Sequence, residues 1–498
     1  MSFLSRLCGF VLAAVLFCQA GSAVSASGSS SFSDAANDAV ATLLSGYYAG
    51  GGYWRVCNQP SCRRTDSDWG ADSATDALYL RWSITHDPKL AAIAAQLLAS
   101  SPRYPAPCNN RPCPWWSDTP AWDAVTAMRE AQMLGGNADA VSRATAALRY
   151  VIESKAFVGG ACAGIPYQRP QPTTKKPIKT LETDATLIKG AILLYKATFA
   201  RRYLELAISR YKLDRRYFLD PAAPLYTVHV VDANGTCAQE PHRFFASVNG
   251  EMIWNGLQLF RITTDQRYYE DALATAKAVD ASLSDQRGIF VDLQGENDVV
   301  EPLVEAMYDL ATDELASRDQ EQFARDWIVR NAEAALSSRG ADGSFPRFFD
   351  GPPQTTSSIW ESNGGLALQI AAAGLDPNGV ATWQGWDGRE IPGATFTRLP
   401  ATIAFDGSGV ALVGSIGQPC ETAHLRVFID GVETFDRTGL WQNHDMPTAE
   451  GVRFAWRWPA PGHHEIRIEP SSPVAGAGSS SLIHLSSVVL GAESIGKL

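Results

Sequence analysis

The sequence predicts a multidomain chain: an all-α (α/α)6 toroid of six helical hairpins, followed by an all-β, jelly-roll-like sandwich. Three observations predict this. Apolar residues recur at helical spacing through residues 34–380. The connections within a helix pair take a few residues, whereas those between pairs are long. From about residue 383 apolar and polar residues alternate between turns that contain Gly, Asp or Pro.

The first 26 residues have the pattern of a secretory signal peptide. Arg6 precedes the apolar run 7–17, and small residues then lead to cleavage after Ala23 or Ala26. A Ser-rich tail, 27–33, follows. Since no other stretch is long and apolar enough to span a bilayer, we expect a secreted or periplasmic protein with no membrane partner once the signal is removed.

Twelve amphipathic segments make up the predicted toroid domain. They cover 34–48, 73–84, 88–100, 120–134, 138–154, 182–198, 200–212, 249–263, 266–283, 299–312, 320–336 and 362–374. The long connections are 49–69, 101–117, 154–179, 214–243, 284–297 and 339–357. If the first helix is an outer one, these loops gather above the N-termini of the inner helices and form a cleft there. Two separate helical bundles are the alternative.

Residues 381–498 are predicted to form an accessory β-sandwich. Period-2 segments cover 394–399, 402–415, 423–435, 452–470 and 481–491. The pieces "FDGSGVALVGS", "RVFIDGVETF" and "WPAPGHHEIRI" resemble the jelly-roll modules appended to secreted bacterial glycosidases. We expect this module to fold independently, adding stability or glycan affinity but no chemistry.

Charge and composition limit the partners. The net charge is −11 and no Lys/Arg cluster is present, which argues against nucleic acid. The chain has 14 tryptophans, and indole faces stack well on sugars. No G-x-S-x-G elbow of a serine hydrolase occurs. We expect a monomer that acts on a polysaccharide or oligosaccharide, with no cofactor and no metal site.

Seven cysteines follow the signal peptide. Cys57/Cys62 and Cys108/Cys113 are two C-x4-C pairs in adjacent long loops. In an exported chain this spacing favours local disulfides over zinc ligation. Cys162 and Cys237 are a long-range candidate pair, which would leave Cys420 unpaired.

Carboxylates and aromatic residues cluster at the predicted loop-facing ends of the inner helices. They are Asp68, Trp69, Asp72, Trp115, Trp116, Asp118, Trp122, Glu182, Asp184, Asn249, Glu251, Trp254, Asp298, Glu301, Trp360, Glu361 and Asn363. Helix capping explains any one carboxylate. Six converging sets fit glycosyl transfer, in which one carboxylate acts as nucleophile or base and another donates a proton.

Three stretches resemble the family-76 glycoside hydrolases, which are secreted endo-α-1,6-mannanases with an (α/α)6 fold. "SDTPAWDAVTAM" is similar to the family's Asp-Asp-x-Ala-Trp-Trp helix start. "GGACAGIPYQ…TLETDATLIKGAILLYKAT" resembles its Gly-Gly loop and the inner helix that follows. "VNGEMIWNGLQLFRITTDQRYYEDA" resembles its Asn-x-Gly helix and the next one. The likeness covers residues 70–375.

One departure from the family concerns the acid/base residue. Aligned on Ala121 and Trp122, Asp118 takes the family's first aspartate and Thr119 the second. A threonine cannot be a general acid at neutral pH. Asp123 takes the place of the family's second tryptophan and lies one turn below Thr119, about 7.5 Å from Asp118 along the helix axis.

The resemblance therefore implies Asp118 as the catalytic carboxylate, with the acid left open. Candidates for the catalytic set are Asp118, Asp123, Asp72 and Asp184, and Glu251 is a further candidate acid. Expected substrate-binding residues are Trp69, Trp115, Trp116, Trp122, Glu182, Asn249, Glu251, Trp360 and Glu361.

The predicted function is a secreted glycoside hydrolase acting on a mannan-like or related polysaccharide. A catalytically degenerate toroid that binds glycan is one alternative, because Thr119 replaces an acid. A polysaccharide lyase or unsaturated-uronide hydrolase is another. It would need Tyr, His or Arg near an acidic sugar, and only His229 and His242 lie in a predicted cleft loop, with Arg63, Arg64, Lys175 and Lys176 as charges.

Overall fold

The structure is a computed structural model that describes most of the chain. The described residues are 27–58, 62, 65–66, 69–160, 162–169, 177–233, 235–240, 243–292, 298–355, 358–386, 389–392, 400–416, 423–440, 451–470 and 483–491. The predicted signal peptide, Asp68, His242 and Cys420 lie outside these residues. None of the helices described is long and apolar enough to cross a membrane.

In the described part of the chain, twelve α-helices occupy the segments that the apolar periodicity predicts. They are α1 Phe32–Thr42, α2 Trp69–Thr85, α3 Pro88–Ser100, α4 Thr119–Met133, α5 Ala138–Glu153, α6 Leu181–Thr198, α7 Arg201–Phe218, α8 Ala246–Thr263, α9 Gln266–Ser282, α10 Glu301–Ala311, α11 Arg318–Ser338 and α12 Ile359–Leu375. A π-helical turn, Leu43–Tyr47, extends α1.

The even-numbered helices form a closed inner ring. Each contacts the next in the order α2, α4, α6, α8, α10 and α12, and α12 returns to α2. The odd-numbered helices pack outside, and α1 lies against α12. This is the (α/α)6 toroid that the sequence predicts, and the alternative of two separate bundles is wrong.

The turns within hairpins keep the pairs tight. His86, Phe199 and Thr264 adopt left-handed backbone angles at the turns after α2, α6 and α8, with φ of 51°, 54° and 60°. In the last two, the turn residue's N–H donates to a carbonyl of the last helical turn, closing the helix. Because the turns within hairpins are short and lie at one end of the toroid, the long connections between hairpins all lie at the opposite end.

The inner helices pack closely because small residues lie at their contacts. A Cβ atom on Gly250 of α8 would lie 2.3 Å from the backbone nitrogen of Leu303 in α10. Alanine, leucine and isoleucine side chains fill the layer between the two rings as one continuous hydrophobic core. This burial is the main stabilising term for the toroid.

Short strands tie the loops and the chain ends together. They are β1 Gly28–Ser31, β2 Tyr48–Gly50, β3 Tyr53–Arg55, β4 Thr65–Asp66, β5 Ile178–Thr180, β6 His229–Ala233, β7 Thr236–Gln239 and β8 Val380–Trp383. The antiparallel sheet β5-β6-β7 joins the loops before α6 and α8. Strand β1, within the predicted Ser-rich tail, pairs with β8 just after the toroid.

Three disulfide bonds among the described residues brace the long loops. Cys57–Cys62 and Cys108–Cys113 are closed as predicted, with Cα atoms 5.9 and 5.4 Å apart. Cys162–Cys237, the long-range candidate pair, is also bonded, with a Cα separation of 5.4 Å. It crosslinks the two loops that sheet β5-β6-β7 joins.

The C-terminal strands form one six-stranded antiparallel sheet in the order β12-β11-β13-β10-β14-β9. They are β9 Arg389–Pro392, β10 Ala401–Ile416, β11 Ala423–Ile429, β12 Val432–Leu440, β13 Gly451–Pro470 and β14 Ile483–Leu490. The all-β character of this region agrees with the sequence. The two-sheet jelly-roll stays a prediction, because the described strands belong to a single hydrogen-bonded sheet.

Candidate active site at the loop-facing end of the toroid

Two tryptophans form a stacked pair at the rim. Trp69 begins α2 and Trp360 lies in the first turn of α12; their ring centroids are 4.4 Å apart and the ring planes differ by 25°. Both side chains are partly exposed. Glu361, also partly exposed, follows Trp360. A paired indole surface of this kind is a platform on which a sugar ring can stack.

Asp118 lies at the start of inner helix α4 and is 7% exposed. Its backbone is already in the right-handed helical region, with φ −78° and ψ −35°, and its side chain makes no N-cap hydrogen bond. Its carbonyl oxygen accepts from the N–H groups of Ala121 and Trp122, at 2.8 and 2.9 Å. Helix capping therefore does not explain why a carboxylate stands here.

The three tryptophans around Asp118 have different surroundings. Trp116 is 40% exposed, and the Arg169 guanidinium lies 3.9 Å from its ring centroid. Trp115 is partly buried and packs against Tyr104 at the edge of the hydrophobic core, with ring centroids 5.1 Å apart. Trp122 is 4% exposed. Only Trp116 presents much of its surface to solvent, and one face of its ring carries the arginine.

Asp72 and Asp123 face different parts of the protein: Asp72 faces a neighbouring inner helix, and Asp123 faces the loop that precedes its own helix. Asp72, in the first turn of α2, accepts a 2.7 Å hydrogen bond from Thr126 of α4 and is 4% exposed. Asp123 accepts from the Tyr104 hydroxyl. Because Asp123 is five residues after Asp118, it lies about 140° around the helix from it. The structure thus directs Asp118 and Asp123 away from each other.

Glu182 lies in the first turn of α6 and is joined to a histidine. Its carboxylate accepts from Thr180 at 2.9 Å and lies 3.9 Å from His229 Nε2. His229 Nδ1 lies 3.0 Å from Glu240. The side chain of Glu182 is 15% exposed, whereas that of His229 is 3% exposed. This arrangement holds a reachable carboxylate in a fixed position at the rim.

The remaining predicted residues on α6 and α8 have partners inside the protein. Asp184 is fully buried and accepts from Arg210 Nε at 2.9 Å; burial raises its pKa, and the positive charge of Arg210 opposes that shift. Asn249 is also fully buried. It accepts from the N–H of Tyr226 at 2.9 Å and donates to its carbonyl at 3.0 Å, which fixes the loop before α8.

Glu251 is a buried carboxyl one turn into α8. It is 1% exposed and accepts a 2.8 Å hydrogen bond from Thr186 of α6. Burial raises its pKa to about 8, and the positive charge of Lys189 only partly offsets that effect. Glu251 is therefore protonated at neutral pH, and its Oε1 has no hydrogen-bond partner among the described residues.

An ion network fills the axis of the toroid below these residues. Lys189 lies 3.1 Å from Asp76 and 2.7 Å from Glu305, and Arg129 also bonds Glu305. All four side chains are at most 9% exposed. Burial raises the pKa of the neighbouring Glu301 well above its ordinary value. Lys189 and Arg129 thus face Asp76 and Glu305, with Glu301 beside them.

Helix periodicity indicates that two carboxylates at the rim lie on the same helix faces as the cations of this network. Arg129 follows Asp118 by eleven residues, three turns of helix, and Lys189 follows Glu182 by seven, two turns. Since Arg129 and Lys189 point to the axis, Asp118 and Glu182 lie on the axial faces of α4 and α6. This network was not predicted from the sequence, although charges in the middle of apolar inner helices were a signal for it.

The carboxylates of the network do not need a metal. Asp76, Glu301 and Glu305 bring ligand atoms within 4.8 Å of one another, which suits a cation. Lys189 and Arg129 already supply positive charge at that position. We therefore assign no metal to these residues.

A cavity of about 200 Å³ opens at the far end of the toroid, where the inner helices end. Its polar groups bond one another: Lys196 donates to Gln258, Gln258 to Asp309 at 2.5 Å, and Arg261 to Asp309 at 2.8 Å. Cations near helix C-termini are stabilised by the helix dipole. These charges are explained by helix stability.

Comparison with solved structures identifies the fold. The chain is similar to the α-1,6-mannanase GH76A of Salegentibacter sp. HEL1_6, at 16% identity and TM-score 0.60 over 69% of this chain and 100% of that one. A GH76 α-mannanase of Bacteroides thetaiotaomicron has 15% identity and TM-score 0.57, over 70% and 97% of the two chains. The toroid therefore has a family-76-like fold.

Two further solved structures have similar folds. An inactive variant of the Salegentibacter enzyme, with two consecutive aspartates replaced by asparagine, was solved with α-1,6-mannotriose. The unsaturated glucuronyl hydrolase of Bacillus sp. GL1 is similar at 12% identity and TM-score 0.50, over 72% of this chain and 100% of that one. A scan against family models and a search of curated proteins each find no match.

Proposed function

We propose that this chain, whose toroid has the family-76-like fold, is a glycoside hydrolase that cleaves an α-mannan or a related polysaccharide at the loop-facing end. One observation carries the proposal: Asp118 stands at the start of an inner helix without capping it. The positive end of the helix dipole favours a negative charge there. Asp118 would act as the nucleophile or base of glycosyl transfer.

We assign the role of proton donor to Glu182. Ser117 and Thr183, the residues that adjoin Asp118 and Glu182, are hydrogen bonded through their hydroxyls at 2.6 Å. This bond fixes the starts of α4 and α6 against each other. Glu182 is reachable from solvent, and Thr180 orients it. It would take the role that Thr119 cannot fill.

The other carboxylates support the site. Asp72 and Glu251 are almost fully buried, and each bonds a threonine of a neighbouring inner helix. Asp123 and Asp184 face Tyr104 and Arg210, away from the axis. We propose that these four hold helices in place rather than touch substrate.

Aromatic residues at the rim would bind the sugars that flank the cleaved bond. The Trp69–Trp360 pair offers one platform and Trp116 a second, since all three are partly exposed. Trp115 and Trp122 are packed beneath and would keep the floor rigid. Water exclusion by such walls strengthens the interaction between a carboxylate and the developing oxocarbenium ion.

A second candidate function is glycan binding without cleavage. It rests on Thr119, which takes the position of the family's second aspartate in the resemblance and is only 5% exposed. Calorimetry with α-1,6-mannotriose, run beside product analysis of α-mannan digests, separates the two candidates. Binding with no product would favour the second one.

The test of the first candidate is Asp118→Asn, which keeps the shape and removes the charge. We expect turnover of α-mannan to fall by about three orders of magnitude or more, with little change in thermal midpoint. Asp87→Asn is the matched control, because the Asp87 carboxylate caps outer helix α3 by accepting a 2.9 Å hydrogen bond from the backbone N–H of Lys89. Near-normal turnover by Asp118→Asn would refute the assignment.

The proton donor has its own test. Glu182→Gln should lower turnover most on substrates with poor leaving groups, because only these need protonation of the departing oxygen. An activated aryl mannoside should be cleaved nearly as fast as by the wild type. Equal losses on both substrates would contradict the assignment of Glu182 as proton donor.

We propose further that the protein is a secreted or periplasmic monomer. The three disulfide bonds support an oxidising compartment. Light scattering of the mature protein and fractionation of the producing cells test these two statements.

A further inference from the structure

The C-terminal sheet meets the toroid at the rim of the candidate active site. A small cavity marks the contact and is lined by Pro346, Arg347, Phe348, Gln354, Glu361, Val452 and Arg453. Glu361 lies in the first turn of α12, next to the Trp69–Trp360 platform. Val452 and Arg453 begin β13. Two residues of the sheet therefore border the same small cavity as Glu361.

One clamp fixes β13 to the toroid through its backbone. The N–H of Val452 donates to Gln354 Oε1 at 2.5 Å, and the N–H of Gln354 donates to the carbonyl of Ser338, at the end of α11, at 3.1 Å. A Cβ atom on Gly451 would lie 2.8 Å from the Gln354 side chain. The start of β13 thus has one closely defined position against the loop.

A second clamp buries charge between the two parts. The backbone N–H of Arg457 donates to Asp285 at 3.3 Å, and its guanidinium lies 3.4 Å from Asp350. Arg457 is only 5% exposed. Phe348 packs against Phe454 within a hydrophobic cluster shared by the toroid and the sheet. Since a buried ion pair is costly to break, the sheet should not slide relative to the rim.

With β13 held in this position, Arg453 lies at the same small cavity as Glu361. Its Nε donates to the carbonyl of Gly414 in β10 at 3.0 Å. Burial lowers the pKa of Arg453, and the negative charge of Glu361 opposes that shift. Nearby Arg347 lies 3.0 Å from Asp292. Two arginines and two carboxylates balance in this sector, so it suits the hydroxyl groups of a neutral sugar better than an anionic one.

We propose that the C-terminal sheet supplies Arg453 to the cleft, where Arg453 and Glu361 bind the hydroxyls of a neutral sugar residue outside the cleaved pair, next to the Trp69–Trp360 platform. The proposal rests on the proposed glycan cleft. The guanidinium offers parallel N–H donors and the carboxylate offers acceptors, which together match vicinal hydroxyls. The sheet would then set a preference for longer chains, a specific form of the glycan affinity that the sequence predicts for it.

The experiment measures affinity against chain length. Arg453→Gln is made in the Asp118→Asn background, and calorimetry follows the binding of α-1,6-mannooligosaccharides of two to six sugars. We expect the affinity gained on lengthening the chain to fall about tenfold, the loss of one charged hydrogen bond. Arg453→Lys keeps the charge without the planar fork and should recover only part of that gain.

Arg467→Gln is the matched control, because Arg467 also lies on β13 but contacts Phe428 and Glu469 within the sheet. It should bind every oligosaccharide as the parent does, and thermal midpoints confirm that all variants are folded. An unchanged gain with length in Arg453→Gln would overturn this proposal while leaving the proposed function intact. If the parent binds no oligosaccharide of any length, the proposed cleft itself is wrong.

Discussion

Replacing Glu251 by glutamine should remove a loss of stability that the toroid otherwise suffers as the pH rises. Its carboxyl is 1% exposed, and burial raises its pKa from 4.5 to about 8. In the unfolded chain the group ionises near its ordinary value, so the folded protein binds an extra proton between those two pKa values. The contribution of Glu251 to the stability of the fold is therefore fully present below pH 4.5 and is lost as the pH rises towards 8.

The size of the effect follows from the pKa difference. Between pH 5 and pH 8 this single group should lower the free energy of unfolding by about 3 kcal/mol. Glutamine mimics the protonated acid and can still accept the hydrogen bond from Thr186, but it does not ionise. Its amide nitrogen replaces an oxygen that has no partner among the described residues, which costs some stability at every pH.

The expected outcome is a crossing of two curves. Glu251→Gln should equal the wild type or be less stable than it at pH 5, and should be more stable at pH 8. Urea unfolding at pH 5, 6, 7 and 8, followed by tryptophan fluorescence and far-ultraviolet circular dichroism, measures both. Glu205→Gln, on the exposed surface of α7, should follow the wild-type curve. Parallel curves for Glu251→Gln and the wild type would refute the reasoning.

Two further predictions concern packing and crosslinking. Gly250→Ala should lower the free energy of unfolding by about 3 kcal/mol, because its Cβ would overlap the backbone of Leu303. A Cβ atom on Gly190, in α6, would have its nearest neighbour at 3.4 Å, so Gly190→Ala should be neutral or should stabilise the fold by up to about 1 kcal/mol. Equal losses of stability in both variants would count against close contact between α8 and α10. Replacing Cys162 and Cys237 together by serine opens a crosslink spanning 75 residues and should cost about 4 kcal/mol in urea unfolding, whereas an unchanged midpoint would contradict this.

The sequence was sufficient to predict the helices, their pairing and the end at which the loops gather. The spacing of apolar residues reflects burial. An outer helix buries one side against the inner ring, whereas an inner helix is buried on all sides. The same pattern places Trp69, Asp118, Glu182 and Trp360 at helix starts. The two C-x4-C disulfides were also predictable, because this short spacing in a chain predicted to be exported favours local disulfides over zinc ligation.

The tertiary structure alone decided what each of these residues faces. Asp123 and Asp184 are near helix starts, as predicted, yet they bond Tyr104 and Arg210. The Lys189–Glu305 pair joins residues 116 positions apart, and Gln354 holds Val452 across 98 positions. A periodic pattern fixes a residue's place along and around its own helix, but partners this distant in sequence are chosen by how the helices and the sheet pack together.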